Sequence, residues 1–199
     1  ADPDYIHQTA QVPNGPKLHF FYQQGQATKH WKKLPEILIA AFQYINIHFG
    51  AYPFSDFYVI QGGDGGMEYP MSTLITGHRD LLSLVGVTVH EALHNWYQGI
   101  LATNESYYHW MDEGYTSYAS SLTMDHLMGA DNNRSNTSHY TNYFSLVSSG
   151  KEEPMSTHAD YFETNFAYKG AAYSKGAVSL AQLGYVVGNS CLEDILLTY

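Results

Sequence analysis

The segment VTVHEALHNWYQG, residues 87–99, constrains this chain more than any other stretch of its sequence. Most of its residues are apolar and recur at helical spacing, yet His90, Glu91 and His94 lie in its middle. Burying three ionisable groups costs several kcal/mol unless a partner compensates them. A fold that contains this helix therefore has to supply such a partner.

A metal ion is the first candidate for that partner. His90 and His94 are four residues apart, so on a helix both project from one face, about one turn apart. Two imidazoles in that arrangement can bind a single Zn²⁺. Glu91 lies beside them without having to bind the metal, which suits a base that acts on metal-activated water. The pattern is short and can be coincidental, but its apolar helix favours a metal site, since a coincidental match more often lies on a solvated face.

A third candidate ligand is Glu113, which follows His94 after eighteen residues in the segment WMDEG. Two histidines and one glutamate leave the fourth position of a tetrahedral zinc open, which marks a catalytic site rather than a structural one. Taken alone, Glu113 is equally a solvated carboxylate near a helix start. Together with His90 and His94, it favours zinc as the partner of the buried helix.

Composition excludes several classes of protein. The 199 residues are 44% hydrophobic and 15% aromatic but only 14% charged, which argues against disorder. A net charge of −10 with only 9 Lys and Arg residues makes nucleic acid an unsuitable partner. Cys191 is alone, so an internal disulfide and a cysteine-based metal site are both excluded. No apolar run approaches the roughly 18 residues of a membrane span.

Strand and helix patterns indicate an α+β fold. The predicted strands are 17–24, 56–61 and 68–76, and the predicted helices are 28–49, 80–99, 110–129 and 174–188, with a polar loop at 131–138. Strands and one helix thus precede a helical region. This order predicts a sheet-bearing lobe over about 1–85 and a helical lobe over about 86–199, with the chemistry between them.

Two further motifs complete a recognisable set. DGGMEYP (64–70) precedes HEALH by some twenty residues, and AAYSKGA (171–177) follows WMDEGYTSY. The four motifs, in this order and spacing, resemble the gluzincin metallopeptidases of the aminopeptidase N and leukotriene-hydrolase family. DGGMEYP is similar to that family's Gly-x-Met-Glu-Asn exopeptidase motif, and AAYSKGA to its Tyr-x-Lys-Gly motif. The motifs span Gly65 to Gly176, whereas residues 1–60 carry no motif.

The resemblance implies that the whole chain, 1–199, is one thermolysin-like catalytic domain with a single zinc between its two lobes. It implies His90, His94 and Glu113 as metal ligands and Glu91 as general base. Tyr173 would donate its hydroxyl to the oxyanion of the tetrahedral intermediate. Such a donor stabilises charge that develops only in the transition state.

The exopeptidase motif implies a substrate site. Glu68 would bind the free α-ammonium of a peptide, and the backbone of Gly65, Gly66 and Met67 would add the peptide as an extra strand. The glycines of 62–66 allow a close approach of backbone. A phosphate-binding loop is the competing interpretation, but the Lys-Ser/Thr that follows such a loop is absent.

Two positions depart from the family pattern. Tyr69 stands where the family usually has Asn, which bears on the shape of the substrate pocket. Asp112 also stands where Asn is common, and it is a candidate acceptor for a metal-binding histidine. The family's N-terminal β domain and C-terminal helical domain do not fit in 199 residues. We therefore expect a fragment of a longer chain, whose missing flanking domains belong to the same polypeptide.

Other polar residues carry weaker expectations. His158 and Asp160 either line the substrate groove or form a local turn. His78 and Arg79 are expected to cap or solvate the start of the helix over 80–99. His109 lies at no suitable spacing for a ligand.

These features predict a zinc-dependent aminopeptidase that acts on peptides with a free N-terminus. A zinc endopeptidase of the same fold, with a structural Glu68, is the first alternative. A non-enzymatic binding module is the second, but such a module would be expected to lose at least one ligand, the base or the tyrosine, and this chain keeps them all.

Overall fold

The computed structural model of the chain describes residues 3–25, 27–63, 65–129 and 136–199. The chain divides into two compact units, Ala1–Asn95 and Trp96–Tyr199. The first unit combines a sheet with helices, and the described part of the second is helical. Among the described residues, no helix is both long and apolar enough to cross a membrane.

The described strands of the first unit form one sheet of order β1-β2-β3-β5-β4. They are β1 (Ile6–Gln11), β2 (Lys17–Tyr22), β3 (Asp56–Gly62), β4 (Gly66–Tyr69) and β5 (Ser72–Thr76). β2, β3 and β5 run parallel, and β1 and β4 pair antiparallel at the two edges. Burial alternates along β2 and β3, so one face of the sheet packs into the core and the other does not.

The sequence predicts one extended segment over 68–76, and this prediction is wrong. The chain reverses at Pro70 and Met71, and Tyr69 of β4 pairs with Ser72 of β5. Met71 has a φ of 60°, and proline followed by a residue with positive φ is the arrangement of a tight turn. The reversal makes β4 an edge strand of the described sheet.

The helix expected over 28–49 is two helices, α1 (Thr28–Trp31) and α2 (Leu34–His48). Pro35 lies in the first turn of α2, where the backbone N–H that it lacks would have no partner within the helix. In a helix that continued through Trp31, the ring of Pro35 would clash with the carbonyl of Trp31, so the two helices are separate. The buried side of α2 packs on the sheet, with the rings of Phe42 and Phe57 5.3 Å apart.

The helix expected over 80–99 is α3 (Leu81–His94), followed directly by a π-helical turn, Asn95–Ile100. Asp80 caps its start, since its carboxylate accepts a hydrogen bond from the backbone N–H of Ser83 at 2.9 Å. The expectation that His78 or Arg79 caps this helix is therefore wrong.

The second unit contains α4 (His109–Met128), α5 (Thr137–Ser148), α6 (Asn165–Lys169), α7 (Gly176–Val187) and α8 (Asn189–Thr198). A 3₁₀ turn, Ala159–Tyr161, precedes α6, and a π-helical turn, Gly170–Lys175, joins α6 to α7. The sequence does not predict α5, in which only Leu146 is buried. The loop expected at 131–138 lies largely outside the described residues, and α5 begins within its last positions.

Candidate active site

The last turn of α3 brings together the ring nitrogens of its two histidines, whose ring planes are nearly perpendicular at 86°. The Nε2 atoms of His90 and His94 lie 3.2 Å apart. His94 is buried, with 1% of its surface exposed, and His90 is half-buried. At the usual His–metal distance of about 2.0–2.1 Å, two nitrogens at this separation subtend roughly 100° at an ion, near the tetrahedral angle. The pair therefore fits a zinc ion.

Glu91 lies against the first residue of β4. A Cβ atom added to Gly66 would meet Oε1 of Glu91 at 2.2 Å and Cγ2 of Val87 at 2.6 Å, so only glycine fits at this contact. Glu91 is itself buried, with 6% of the residue's surface exposed. β4 consequently runs directly beside the helix that carries the histidines.

The alternation of β4 places Glu68 on the same side of the strand as Gly66. Gly66 and Glu68 are half-buried, while Met67 and Tyr69 point to the opposite, exposed side. Since Gly66 contacts Glu91, Glu68 shares the face of β4 that is turned toward α3. Tyr69, which departs from the family pattern, does not.

The start of β4 is held by three hydrogen bonds to one carbonyl. Gly65 O accepts from the backbone N–H of Thr76 at 2.9 Å, from Thr76 Oγ1 at 3.0 Å and from Arg79 Nη2 at 3.3 Å. Arg79 also donates through Nη1 to Ser83 of α3 at 3.0 Å. Arg79 thus joins the motif strand to the first turn of α3, a function that its position in the sequence does not signal.

The other end of the β4–β5 hairpin is held by Asn95, the residue after His94. Its Oδ1 accepts from the backbone N–H of Met71 at 2.8 Å, and its Nδ2 donates to Ala92 O at 3.3 Å. Sequence reasoning missed Asn95 as well. Both ends of the hairpin are therefore fixed by residues at the two ends of α3.

In the second unit, Glu113 and Tyr173 are joined directly. Tyr173 donates its hydroxyl to Oε1 of Glu113 at 2.5 Å, although the two residues are 60 positions apart. Glu113 lies near the start of α4, and Tyr173 lies in the π-helical turn before α7. Such turns are frequent at functional sites because they re-aim a side chain.

Two glycines allow this approach. A Cβ atom on Gly114 would lie 2.8 Å from Cα of Gly176, and one on Gly176 would lie 2.7 Å from Cα of Gly114. α4 and α7 therefore meet backbone to backbone, one residue after Glu113 and three after Tyr173. Neither glycine tolerates a side chain without moving a helix.

Lys175 anchors the end of the same π-helical turn. Its Nζ lies 2.5 Å from Oε1 of Glu152, which also accepts from the hydroxyl of Tyr143 at 3.0 Å. These hydrogen bonds, from Lys175 first and then Tyr143, hold the pKa of Glu152 below its usual value of 4.5. The turn that presents Tyr173 is thus pinned to the segment after α5.

Asp112, the candidate acceptor for a metal-binding histidine, lies in the first turn of α4 and is buried, with 4% of its surface exposed.

Nδ1 of His158 accepts a hydrogen bond from the backbone N–H of Asp160 at 3.3 Å, at the start of the 3₁₀ turn. The local-turn interpretation therefore describes this pair. The ring of His158 lies 5.8 Å from that of His109, which packs against Tyr168.

Comparisons with known proteins agree on one family. Residues 64–199 match the model of the peptidase family M1 domain. Leucine aminopeptidase 2 of Lodderomyces elongisporus is 48% identical over 60 residues, which is 27% of this chain and 9% of that relative.

Solved structures share the fold. The M1 zinc metallopeptidase from Deinococcus radiodurans superposes with a TM-score of 0.78 at 20% identity, covering 98% of this chain and 43% of that one. A mutant of it bound to a Tyr-Ser-Ala substrate gives 0.72 at 20% identity, covering 98% and 44%. The chain thus spans less than half the length of these proteins.

The fold and the motif set define the class of the zinc metallopeptidases. Because the family match covers more than half of its length, the chain belongs to peptidase family M1. The resemblance drawn from the four motifs is confirmed, as is the α+β fold.

Proposed function

We propose that this chain carries the catalytic site of a zinc-dependent aminopeptidase, which hydrolyses the N-terminal peptide bond of peptides. The observation that carries the proposal is the contact between Gly66 and Glu91. It sets the strand that bears Glu68 against the helix that bears the histidine pair. Glu68, which would bind the substrate amine, and Glu91, which would act in hydrolysis, therefore lie on neighbouring elements of the first unit.

His90, His94 and Glu113 would hold the zinc. When bound, zinc supplies Lewis-acid polarisation of the scissile carbonyl and of the attacking water. The paired Nε2 atoms of the histidines support this ligand set, and so does the hydrogen bond from Tyr173, which orients the carboxylate of Glu113.

Glu91 would act as general base and then as general acid. It takes a proton from the attacking water and later delivers it to the leaving amine. Its burial supports the role, because a carboxylate shielded from bulk water interacts more strongly with the charges of the reaction. Its contact with Gly66 fixes the side on which the substrate backbone lies.

Tyr173 would stabilise the oxyanion. In the structure its hydroxyl donates its single proton to Glu113 at 2.5 Å, so this hydrogen bond would be exchanged for one to the oxyanion as the charge develops. The π-helical turn, which the ion pair between Lys175 and Glu152 anchors, limits how far the hydroxyl has to move.

Glu68 would bind the α-ammonium of the substrate and so restrict cleavage to the first peptide bond. β4 is an edge strand of the described sheet, and an edge strand can accept a peptide as an additional strand. Glu68 lies on the side of β4 turned toward Glu91. The amine would thus be placed at a fixed distance from the hydrolytic group.

The test compares paired peptide substrates, one with a free α-amine and one N-acetylated, on the zinc-loaded protein. We expect cleavage of the free form only, and loss of that cleavage with a chelator. Equal cleavage of both would support the endopeptidase alternative. No cleavage of either, with one zinc bound per chain, would indicate that activity requires further parts of the polypeptide.

Glu68→Gln sharpens the test. Hydrogen bonds to charged groups contribute about 1.5–3 kcal/mol, so we expect kcat/KM for the free-amine substrate to fall about 10- to 100-fold, mostly through KM. Glu36→Gln, an exposed carboxylate in the first turn of α2, is the matched control. An unchanged preference for the free amine in Glu68→Gln would remove Glu68 from the site.

A further inference from the structure

A connected row of aromatic rings in the second unit ends at Tyr173. The ring of His109, the first residue of α4, lies 5.7 Å from that of Tyr168 in α6, and Tyr168 lies 6.2 Å from Tyr173. The angles between the ring planes are 81° and 88°, so both contacts are edge-to-face. Aromatic pairs prefer this arrangement at centroid distances of about 4.5–7 Å. The row therefore links the start of α4 to the π-helical turn through packed contacts.

His109 also contacts a ring whose orientation is fixed. The ring of His158 lies 5.8 Å from that of His109, at an angle of 85°. The backbone N–H of Asp160 donates to Nδ1 of His158 at 3.3 Å, which holds this imidazole in place. His109 thus connects an oriented ring to Tyr168.

One ring nitrogen of His109 contributes no hydrogen bond to this arrangement. Its Nε2 is buried and has no hydrogen-bond partner among the residues that the structure describes. A buried polar atom in that state costs free energy. What His109 supplies to its neighbours is therefore the shape of its ring, which a phenyl ring would approximate without losing a hydrogen bond at this atom.

Tyr168 depends on such contacts because its own helix is short. The helix α6 has five residues, of which only Ala167 is buried, and so short a helix is not stable by itself. Besides His109, the ring of Phe162 packs on Tyr168 at 5.6 Å. Removal of the His109 ring would therefore let Tyr168 shift, and Tyr173 with it.

Tyr173 needs a fixed ring at the moment when its hydroxyl changes partner. The hydroxyl donates to Glu113 at 2.5 Å, and in the proposed function it turns to the oxyanion. A misplacement of about 1 Å can cost about 100-fold in rate. The edge-to-face contact with Tyr168 limits how far the ring of Tyr173 can move during this exchange.

We propose that His109 is a positioning residue, which fixes the place of the Tyr173 ring through Tyr168. The proposal rests on the proposed function, in which Tyr173 is the oxyanion donor. It is separate from the ion pair between Lys175 and Glu152, which anchors the end of the same turn. The ring contacts hold the side chain of Tyr173, whereas the ion pair holds the backbone that follows it.

The kinetic test is a double-mutant cycle. His109→Ala should lower kcat about 10-fold and change KM less than about twofold, because an oxyanion donor acts in the transition state and not in substrate binding. In Tyr173→Phe, which lacks the hydroxyl, the same change should have little further effect. An equal fall of kcat in both backgrounds would overturn the proposal, since His109 would then act by another route.

Two variants control for a general loss of structure. His109→Phe keeps a ring and should return kcat to within about threefold of the wild type. His126→Ala, an exposed histidine in the last turn of α4, should behave as the wild type does. If His109→Ala does not fold, His109→Leu takes its place in the cycle. A kcat for His109→Phe as low as that of His109→Ala would overturn the proposal.

A spectroscopic readout does not depend on turnover. A fluorine atom on the ring of Tyr173 reports its surroundings by NMR. We expect its signal to shift and broaden in His109→Ala and to stay close to the wild type in His109→Phe and His126→Ala. An identical signal in the wild type and His109→Ala would overturn the proposal. If Tyr173→Phe keeps the wild-type kcat, the proposed function of Tyr173 is wrong, and the fluorine signal still decides whether His109 positions this ring.

Discussion

Gly66 is the residue at which two motifs of the first unit meet. Its missing side chain lets β4 approach the carboxylate of Glu91, and that contact aligns the exopeptidase motif with the HExxH helix. The family motif leaves this position open, because its glycine aligns with Gly65. The structure supplies a reason for a glycine at position 66, which is the volume already filled by Glu91 and Val87.

Gly66→Ala tests that contact. The added methyl group would lie 2.2 Å from Glu91 Oε1, so strand or carboxylate must move. We expect the free energy of unfolding to fall by about 1–3 kcal/mol, with a larger loss in peptidase activity than in folded fraction. Gly63→Ala is the control, because a Cβ there meets nothing within 4 Å. Similar effects of both changes, measured by denaturant titration and turnover, would argue against a specific contact.

Glu91→Gln separates metal binding from proton transfer. The amide keeps the size of the carboxylate but cannot accept the proton of water. General-base catalysis contributes about 10²–10⁴-fold, so kcat should fall by at least this order. Zinc content, measured on the same sample, should stay at that of the wild type. Substantial residual turnover would show that another group is the base.

At the scale of elements, β4 is positioned by α3 rather than by its own sequence. Arg79 and Asn95, at the two ends of α3, hold the two ends of the β4–β5 hairpin. A four-residue edge strand has few ladder hydrogen bonds of its own. Its position beside Glu91 therefore depends on these side chains.

Arg79→Gln should disturb substrate binding more than chemistry. Loss of the hydrogen bond to Gly65 O loosens the start of β4, so we expect KM for free-amine peptides to rise several-fold with a smaller change in kcat. The preference over N-acetylated peptides should decrease as well. Arg79→Lys should restore part of it, and Lys29→Gln serves as the control. A uniform loss of stability without a change in KM would limit Arg79 to a structural role.

The link between Glu152 and the π-helical turn predicts an acid-sensitive contribution to stability. The pKa of Glu152 is lowered in the folded protein, so its contribution is present above the ordinary value of 4.5 and is lost as pH falls through the lowered pKa. The melting midpoints of the wild type and Glu152→Gln should differ near pH 7, and the difference should shrink as the pH falls below 4.5. Glu163→Gln is the control. A difference that persists unchanged in acid would contradict the assignment.

At the scale of the whole molecule, zinc should couple binding to stability. A ligand that binds only the folded state stabilises it by about 2.7 kcal/mol at a concentration 100 times its Kd. We expect a chelator to lower the melting midpoint and added Zn²⁺ to restore it. His90→Gln should be insensitive to both treatments. If its midpoint still responds to zinc as the wild type does, this histidine is not a ligand.

The sequence by itself determined those features that depend only on residues close together along the chain. The apolar pattern of residues 87–99 predicted α3, because side-chain spacing along a segment fixes which face it buries. Aromatic and β-branched composition predicted the strands β2 and β3, and the sequence also predicted α4. The four motifs were enough to indicate the family, since each lies within a short stretch of chain. The break between α1 and α2 was also readable at Pro35, although the periodicity of the apolar residues masked it.

Only the tertiary structure decided which distant residues meet. The β4–β5 hairpin, the contact of Gly66 with Glu91 and the hydrogen bond from Tyr173 to Glu113 each join residues whose separation along the chain follows no local pattern. These distances are set by the packing of β4 on α3 and by the contact between Gly114 and Gly176. The ring contacts that lead from His109 through Tyr168 to Tyr173 arise in the same way, because packing brings together residues of α4, α6 and the π-helical turn.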